Sequence, residues 1–252
     1  MKHAKYLITC SLLVAASVGL DSCSKSFLEK PLLGNLTEPV LANEKGVTAL
    51  LVGAYAALDG QNVGGGTWES APTNWIYGSV AAGDAHKGSD AGDQPPINLI
   101  ATGKSDPSNG FFNAKWRADY EGIARCNSVL RVANLAEDIA EDTKTILIAE
   151  ARFLRAHYYF DLKKMFNMVP WVDETTTDLK APNNVDIWPN IEADFKFAYD
   201  NLSGTAPAVG RVNKWAAGAY LGKTLVYEKK FTEAVTVFTD VINNGTNSKG
   251  DK

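Results

Sequence analysis

The sequence predicts an all-α protein, built from antiparallel helix pairs stacked into a repeat-type scaffold and interrupted near its start by one long irregular loop. Three observations carry that reading. Residues 143–166 show two apolar stripes at steps of three and four, residues 214–243 set a small residue on one helix against bulky ones on the next, and residues 59–110 lose periodicity. With 45% apolar and 21% charged side chains over 252 residues, the chain is too apolar to be disordered and too polar to be polytopic. A chain of this size buries roughly 70–75% of its unfolded surface, so it needs no disulfide staples. A net charge of −4 without a long basic run argues against phosphate-driven nucleic-acid binding.

The elements follow in chain order. Lys2, His3 and Lys5 form a basic start, and an apolar stretch runs from Tyr6 to Leu20. That stretch is too short and too polar for a membrane span, and it reads as a secretory signal over residues 1–22. Leu20-Asp21-Ser22-Cys23 resembles the bacterial lipoprotein cleavage box, with Asp21 departing from its usual small residue. Cleavage before Cys23 would make that cysteine the acyl carrier. The alternative is an ordinary signal that happens to contain a cysteine. Residues 23–40 read as an extended tether, since Pro31 interrupts any helix there. No later apolar run is long enough to span a bilayer.

Residues 44–58 form a short helix whose Gly53, Ala54, Ala56 and Ala57 suit close packing. The segment 59–110 is rich in Gly, Pro, Ser, Asp and Asn and is far longer than an ordinary connection, which marks it as functional or else as misread. It carries Trp68, Asn74, Trp75 and Tyr77 among small residues, then Asp84 and His86. Sugars present flat C–H faces that pack on aromatic rings, and their hydroxyls need Asn, Asp or His partners at the edge. Trp and Tyr combine apolar area with a polar tip, which suits a partly wet site. These six residues are the candidate ligand contacts. The competing reading makes Trp75 and Tyr77 core residues that pin the loop onto the helices. Gly64-Gly65-Gly66 lacks a strand–turn–helix context and reads as a flexible loop. Asp84, Asp90 and Asp93 lack the ligand spacing of an EF-hand.

Helices follow from residue 111. Residues 116–134 space Trp116, Tyr120, Ile123, Val129 and Leu130 on one helix, where Cys126 reads as a buried small hydrophobe. In 143–166 one stripe is Leu147, Ala151, Leu154, Tyr158, Leu162 and Met165, and a second holds Ala149, Phe153, Ala156 and Phe160. Two stripes mean burial on most sides. Glu150, Arg152, Arg155 and Asp161 lie among them, and we read them as ion pairs between packed helices rather than a charged site. Asp186 can cap the next helix, with Pro189 in its first turn. In 214–243, Phe231, Ala234 and Phe238 follow Gly222 at offsets nine, twelve and sixteen. That spacing resembles the tetratricopeptide repeat, in which a small residue receives the bulk of its partner helix. Trp215, Tyr220, Leu225 and Phe238 predict an apolar face on this last pair, of the kind that a cap covers at the end of a repeat array.

Chemistry motifs are absent. There is no HExxH, no CxxC pair and no GxxxxGK[ST], and His86 and His157, the histidines outside the signal, have no neighbours at metal-ligand spacing. We therefore expect no enzyme, no cofactor and no metal.

Four segments together resemble the SusD/RagB family of outer-membrane nutrient-binding lipoproteins. They are Ser22-Cys23-Ser24-Lys25-Ser26-Phe27-Leu28; Trp116-Arg117-Ala118-Asp119-Tyr120 through Ala124-Arg125-Cys126-Asn127; Glu150-Ala151-Arg152-Phe153-Leu154-Arg155-Ala156-His157-Tyr158-Tyr159-Phe160-Asp161-Leu162; and Gly210-Arg211-Val212-Asn213-Lys214-Trp215-Ala216-Ala217. The resemblance implies a helical domain over 41–252, with helix pairs over 111–245. It also implies a lipid anchor at Cys23, an outer-membrane location facing the exterior, capture of oligosaccharides, and a SusC-like TonB-dependent barrel as partner. Family members carry a further C-terminal half, so the resemblance makes this chain the N-terminal half of such a protein. Alternatives are a tetratricopeptide-type protein-binding scaffold or a non-functional fragment.

Overall fold

The computed structural model describes residues 37–59, 74–88, 90, 92–178, 180–247 and 249–252. The signal, Cys23, most of the tether, Gly64-Gly65-Gly66 and Trp68 lie outside these residues. The described chain contains α1 (Glu38–Leu41), α2 (Glu44–Ala56), a 3-10 turn (Ala57–Asp59), a π turn (Ile76–Val80), α3 (Pro95–Ala101), α4 (Gly110–Leu135), α5 (Glu141–Phe166), α6 (Trp188–Asn201), α7 (Lys214–Tyr227) and α8 (Phe231–Asn244), with no strand. No described helix is long and apolar enough to cross a membrane.

From α4 onward each helix packs antiparallel on the one before it. Phe153 meets Phe195 at 5.4 Å and Phe160 meets Trp188 at 5.3 Å, fixing α5 against α6. Phe195 then meets Tyr220 at 5.3 Å, and Trp188 meets Tyr227 at 5.2 Å, fixing α6 against α7. Aromatic pairs at these spacings add stabilisation beyond area burial. The two stripes read for residues 143–166 are both in the core: Leu147, Leu154, Tyr158 and Leu162 are buried, as are Ala149, Phe153, Ala156 and Phe160. Cys126 is buried too, and burial pushes its thiol pKa up, which suits a packing role.

Glycines set the close approaches. A methyl group on Gly222 would lie 2.6 Å from the Phe238 ring, so this glycine receives Phe238 as the repeat-like spacing requires. A second such pair joins α4 to α5, where a methyl on Gly122 would lie 2.6 Å from the Tyr158 ring. That ring cannot retreat easily, because Tyr158 Oη donates to the Ala54 carbonyl at 2.7 Å. Overpacking costs about 1–3 kcal/mol, more than the ~1 kcal/mol that alanine gains over glycine in a helix. Gly122→Ala should therefore lower the urea midpoint of unfolding; a raised midpoint would show that the two helices can separate freely.

The charged residues of α5 are ties to other elements. Arg211 holds Glu150 through two bonds of 2.5 and 2.7 Å, and Tyr55 Oη donates to the same carboxylate at 2.6 Å. Arg152 and Arg155 both donate to Asp194 on α6, at 2.6 and 2.7 Å. Asp161 faces Lys115 of α4 at 3.1 Å. At the start of α6, the Trp188 amide donates to Asp186 Oδ1 at 3.1 Å, with Pro189 in the first turn.

Two expectations change. The segment 59–110 contains, in its described part, the π turn and α3, each too short to show a period. The exposed apolar side chains of the last pair are Val226, Tyr227, Phe231, Val235 and Ile242, whereas Leu225 is buried and Trp215, Tyr220 and Phe238 are half-buried. Phe238 is drawn inward by Gly222, which leaves the neighbouring face of α8 outside.

Candidate functional site

The site is built around the turn that begins at Asn74. Ile76 and Val80 point inward and meet Ile97, Ile100 and Phe111, forming a small apolar cluster apart from the main core. Gly78 N–H donates to Asn74 C=O at 2.6 Å, and the backbone then closes as a π turn, with Val80 N–H donating to Trp75 C=O at 2.8 Å. Such turns are frequent at functional sites. Asn109 caps α4 through the Phe111 amide at 3.1 Å, and its Nδ2 donates to the Pro96 carbonyl at 3.1 Å. One asparagine thus joins α3 to α4 and fixes the floor under the turn.

Trp75 is 37% exposed. It lines a shallow recess of about 370 Å³ with Lys87, Asp93, Gln94 and Ile97. Gln94 is left-handed, with φ 46°, an uncommon conformation for a residue with a side chain. It sits immediately before Pro95, where α3 starts. Lys87 Nζ donates to the carbonyls of Asp90 and Asp93 and holds this rim together. The recess therefore combines an apolar indole with a carboxylate, an amide and an ammonium group.

Asn74 and Tyr77 lie on a different recess, of about 420 Å³, which also involves Ile100, Phe112, Lys164 and Met165. Tyr77 Oη donates to the Phe111 carbonyl at 2.7 Å, and its ring lies 6.5 Å from that of Phe112. Asn74 Nδ2 donates to Asp161 Oδ2 at 3.0 Å. Asp84 and His86 are exposed and line neither recess; His86 Nδ1 accepts the Gly88 amide at 3.2 Å. The structure therefore brings Asn74 and Tyr77 together, sets Trp75 apart, and leaves Asp84 and His86 at the loop's outer end. Lys87, Asp93 and Gln94 are added beside Trp75. Among the described residues, no group of three or more His, Cys, Asp or Glu side chains is placed to hold a metal ion.

Below the turn lies a buried charged cluster. Lys115 Nζ is 3.1 Å from Asp161 and 3.4 Å from Asp119. Burial alone would raise the Asp161 pKa, but Lys115, His157, Lys164 and the Asn74 amide outweigh it and hold the carboxyl low. Asp119 goes the other way: burial pushes it up to about 7, against the pull of Lys115. A raised folded-state pKa means that the folded protein keeps a proton the unfolded chain has lost. Asp119 therefore makes stability fall as pH rises from about 4, where an ordinary Asp titrates, to about 7. Asp119→Asn should flatten that fall, leaving the contribution of Glu228, which burial also pushes up to about 7, and the opposite contribution of His157, whose pKa burial lowers so that stability rises with pH below its ordinary value. Urea midpoints at a series of pH values check this, and parallel curves for the two proteins would refute it.

Comparison with known proteins adds the following. A SusD-like family model, described as starch-binding and associating with the outer membrane, matches residues 71–226. A SusD-like protein of Formosa agariphila is 27% identical over 248 residues, which are 95% of this chain and 46% of that protein. One of Bacteroides ovatus is 27% identical over 147 residues, 56% of this chain and 25% of its own. Among solved structures, a laminarin-binding SusD-like protein matches with a TM-score of 0.65 and 28% identity, covering 81% of this chain and 44% of the other. Surface glycan-binding protein A from Bacteroides uniformis gives a TM-score of 0.70 at 22% identity, over 79% of this chain and 46% of the other, a likeness of fold. The chain thus spans about half the length of these two solved structures and of the Formosa protein.

Proposed function

The chain belongs to the SusD-like family, and from that premise we propose that it captures carbohydrate at the cell surface through a site headed by Trp75. The observation that carries this is the exposed indole beside Asp93, Gln94 and Lys87. A pyranose ring can lay its C–H face on the indole while its hydroxyls meet the carboxylate, amide and ammonium at the rim. The recess is shallow and open, which fits an extended chain passing across it better than an enclosed small molecule. Asn74 and Tyr77 lie on the neighbouring recess, and Trp68, Asp84 and His86, from the same segment, are proposed as further contacts for a longer glycan.

Capture without turnover is the proposed role, and no cofactor takes part. The acyl group on Cys23 would hold the protein on the outer membrane facing the exterior, beside a TonB-dependent barrel of the SusC type that imports the captured oligosaccharide. Each buried methylene of an acyl chain contributes about 0.8 kcal/mol, so several chains anchor firmly. Cys23→Ala should release the protein from the membrane fraction or leave it uncleaved; normal processing with unchanged detergent partitioning would refute acylation.

The function itself is tested by affinity electrophoresis of the full chain through gels containing laminarin, starch or an unrelated polysaccharide. Retardation by at least one glucan, with no release of reducing ends, is the expected result. Equal mobility in every gel would overturn the proposal, and sugar release would replace it with an enzyme.

A further inference from the structure

Asn74 opens the turn that carries the proposed platform, yet its side chain points into the fold, where Oδ1 is buried without a partner and only Nδ2 is bonded. Its Nδ2 bonds Asp161 Oδ2 at 3.0 Å, and that same oxygen lies 3.1 Å from Lys115 Nζ. The other oxygen, Oδ1, is 3.0 Å from Lys164 Nζ. Lys115 is almost completely buried on α4, and Asp161 is buried on α5. A carboxylate fixed by two cations on two long, packed helices is a rigid reference point. Asn74 is attached to it directly, its carbonyl accepts the Gly78 amide, and the π turn starts from the next carbonyl, that of Trp75. Shifting such a turn by one residue rotates every side chain by on the order of 90°. Trp75 would then leave the recess it shares with Asp93 and Gln94.

We propose that Asp161 is a positioning residue for carbohydrate binding: held by Lys115, it fixes Asn74 and so sets the register in which Trp75 faces outward. Asn74 is then a latch between the helical core and the platform rather than a sugar contact. The proposal rests on the reading of Trp75 as the platform. It also assigns a purpose to a costly feature, because a buried ion pair contributes little to stability compared with apolar packing and is better suited to fixing one arrangement.

The test uses the full chain, titrated with laminarin and followed in parallel by amide hydrogen exchange without ligand. Asn74→Ala should weaken laminarin binding by about five-fold or more and speed exchange over residues 75–85 while α5 stays protected. Asp161→Asn keeps an oxygen for the Asn74 amide and should bind within about three-fold of the natural protein. Asp161→Ala should match Asn74→Ala, and the double variant should be no worse than either single one, because both remove one link. If Asp161→Ala does not fold, the other two variants decide. Unchanged exchange over 75–85 in Asn74→Ala overturns the proposal, since a direct sugar contact could lose affinity without freeing the turn. Faster exchange with unchanged affinity overturns it equally where Trp75→Ala has lost affinity. If Trp75→Ala binds normally, the platform reading fails instead, and the exchange measurement alone reports whether Asn74 holds the turn.

Discussion

Asp194→Ala should cost about 3–5 kcal/mol of folding stability, the loss typical of breaking a buried charge pair from one side. Asp194 is 1% exposed. It accepts from Arg152 Nε at 2.6 Å and from Arg155 Nε and Nη2 at 2.7 and 3.0 Å. Removing it leaves the buried Arg155 guanidinium with Glu174 and Asn127 alone, and the joint between α5 and α6 loses its polar centre. For a chain of this length the melting temperature should fall by roughly 6–20 °C. Lys196→Ala is the control. Its pair with Asp200 is exposed on both sides, and such pairs contribute about 0–1 kcal/mol. Equal melting of the two variants would show that the Asp194 joint carries no special weight.

The same joint shows how far the sequence could be read. Charges placed among the two apolar stripes of α5 cannot all reach water, so their pairing follows from the pattern of that one helix. Their partners do not, because Asp194, Arg211 and Lys115 lie on other elements and no period links them. The resemblance supplies part of that information. Two of its segments meet in the fold, where Arg211 bonds Glu150, and Asn213 of the same segment caps α7 through the Ala216 amide at 2.9 Å. Gly222 and Phe238 were legible because size complementarity at fixed spacing is a local signal. α3 was not, since Pro95-Pro96 reads as a loop although proline is tolerated in a helix's first turn. The rim beside Trp75 was hidden for a related reason. Asp93 and Gln94 reach it at a left-handed turn at Gln94, Lys87 joins them through the carbonyls of Asp90 and Asp93, and glutamine gives no sign of that conformation. For Asn74 and Tyr77, residue type pointed to sugar contacts, whereas Asn74 Nδ2 donates to Asp161 and Tyr77 Oη to the Phe111 carbonyl.

Trp75→Ala separates a platform from a core residue in one pair of measurements. As an analogy from aromatic stacking on nucleic-acid bases, a platform ring contributes about 1–3 kcal/mol, so laminarin affinity should fall roughly five- to 150-fold. The melting temperature should fall less than for a core tryptophan, because the indole is 37% exposed and leaves an open recess rather than a sealed cavity. A tryptophan of the core would behave oppositely, costing about 3–5 kcal/mol of stability on truncation. Phe195→Ala supplies that reference, since Phe195 is fully buried between Phe153 and Tyr220. Asp93→Asn should weaken binding less than Trp75→Ala, because it removes the charge of one exposed rim group and keeps its hydrogen-bonding capacity. Trp68→Ala, from the same segment, should follow Trp75→Ala if both rings carry one glycan chain. A variant at Trp75 that melts early yet binds normally in its folded fraction would assign the residue to the core and move the carbohydrate site elsewhere on the protein.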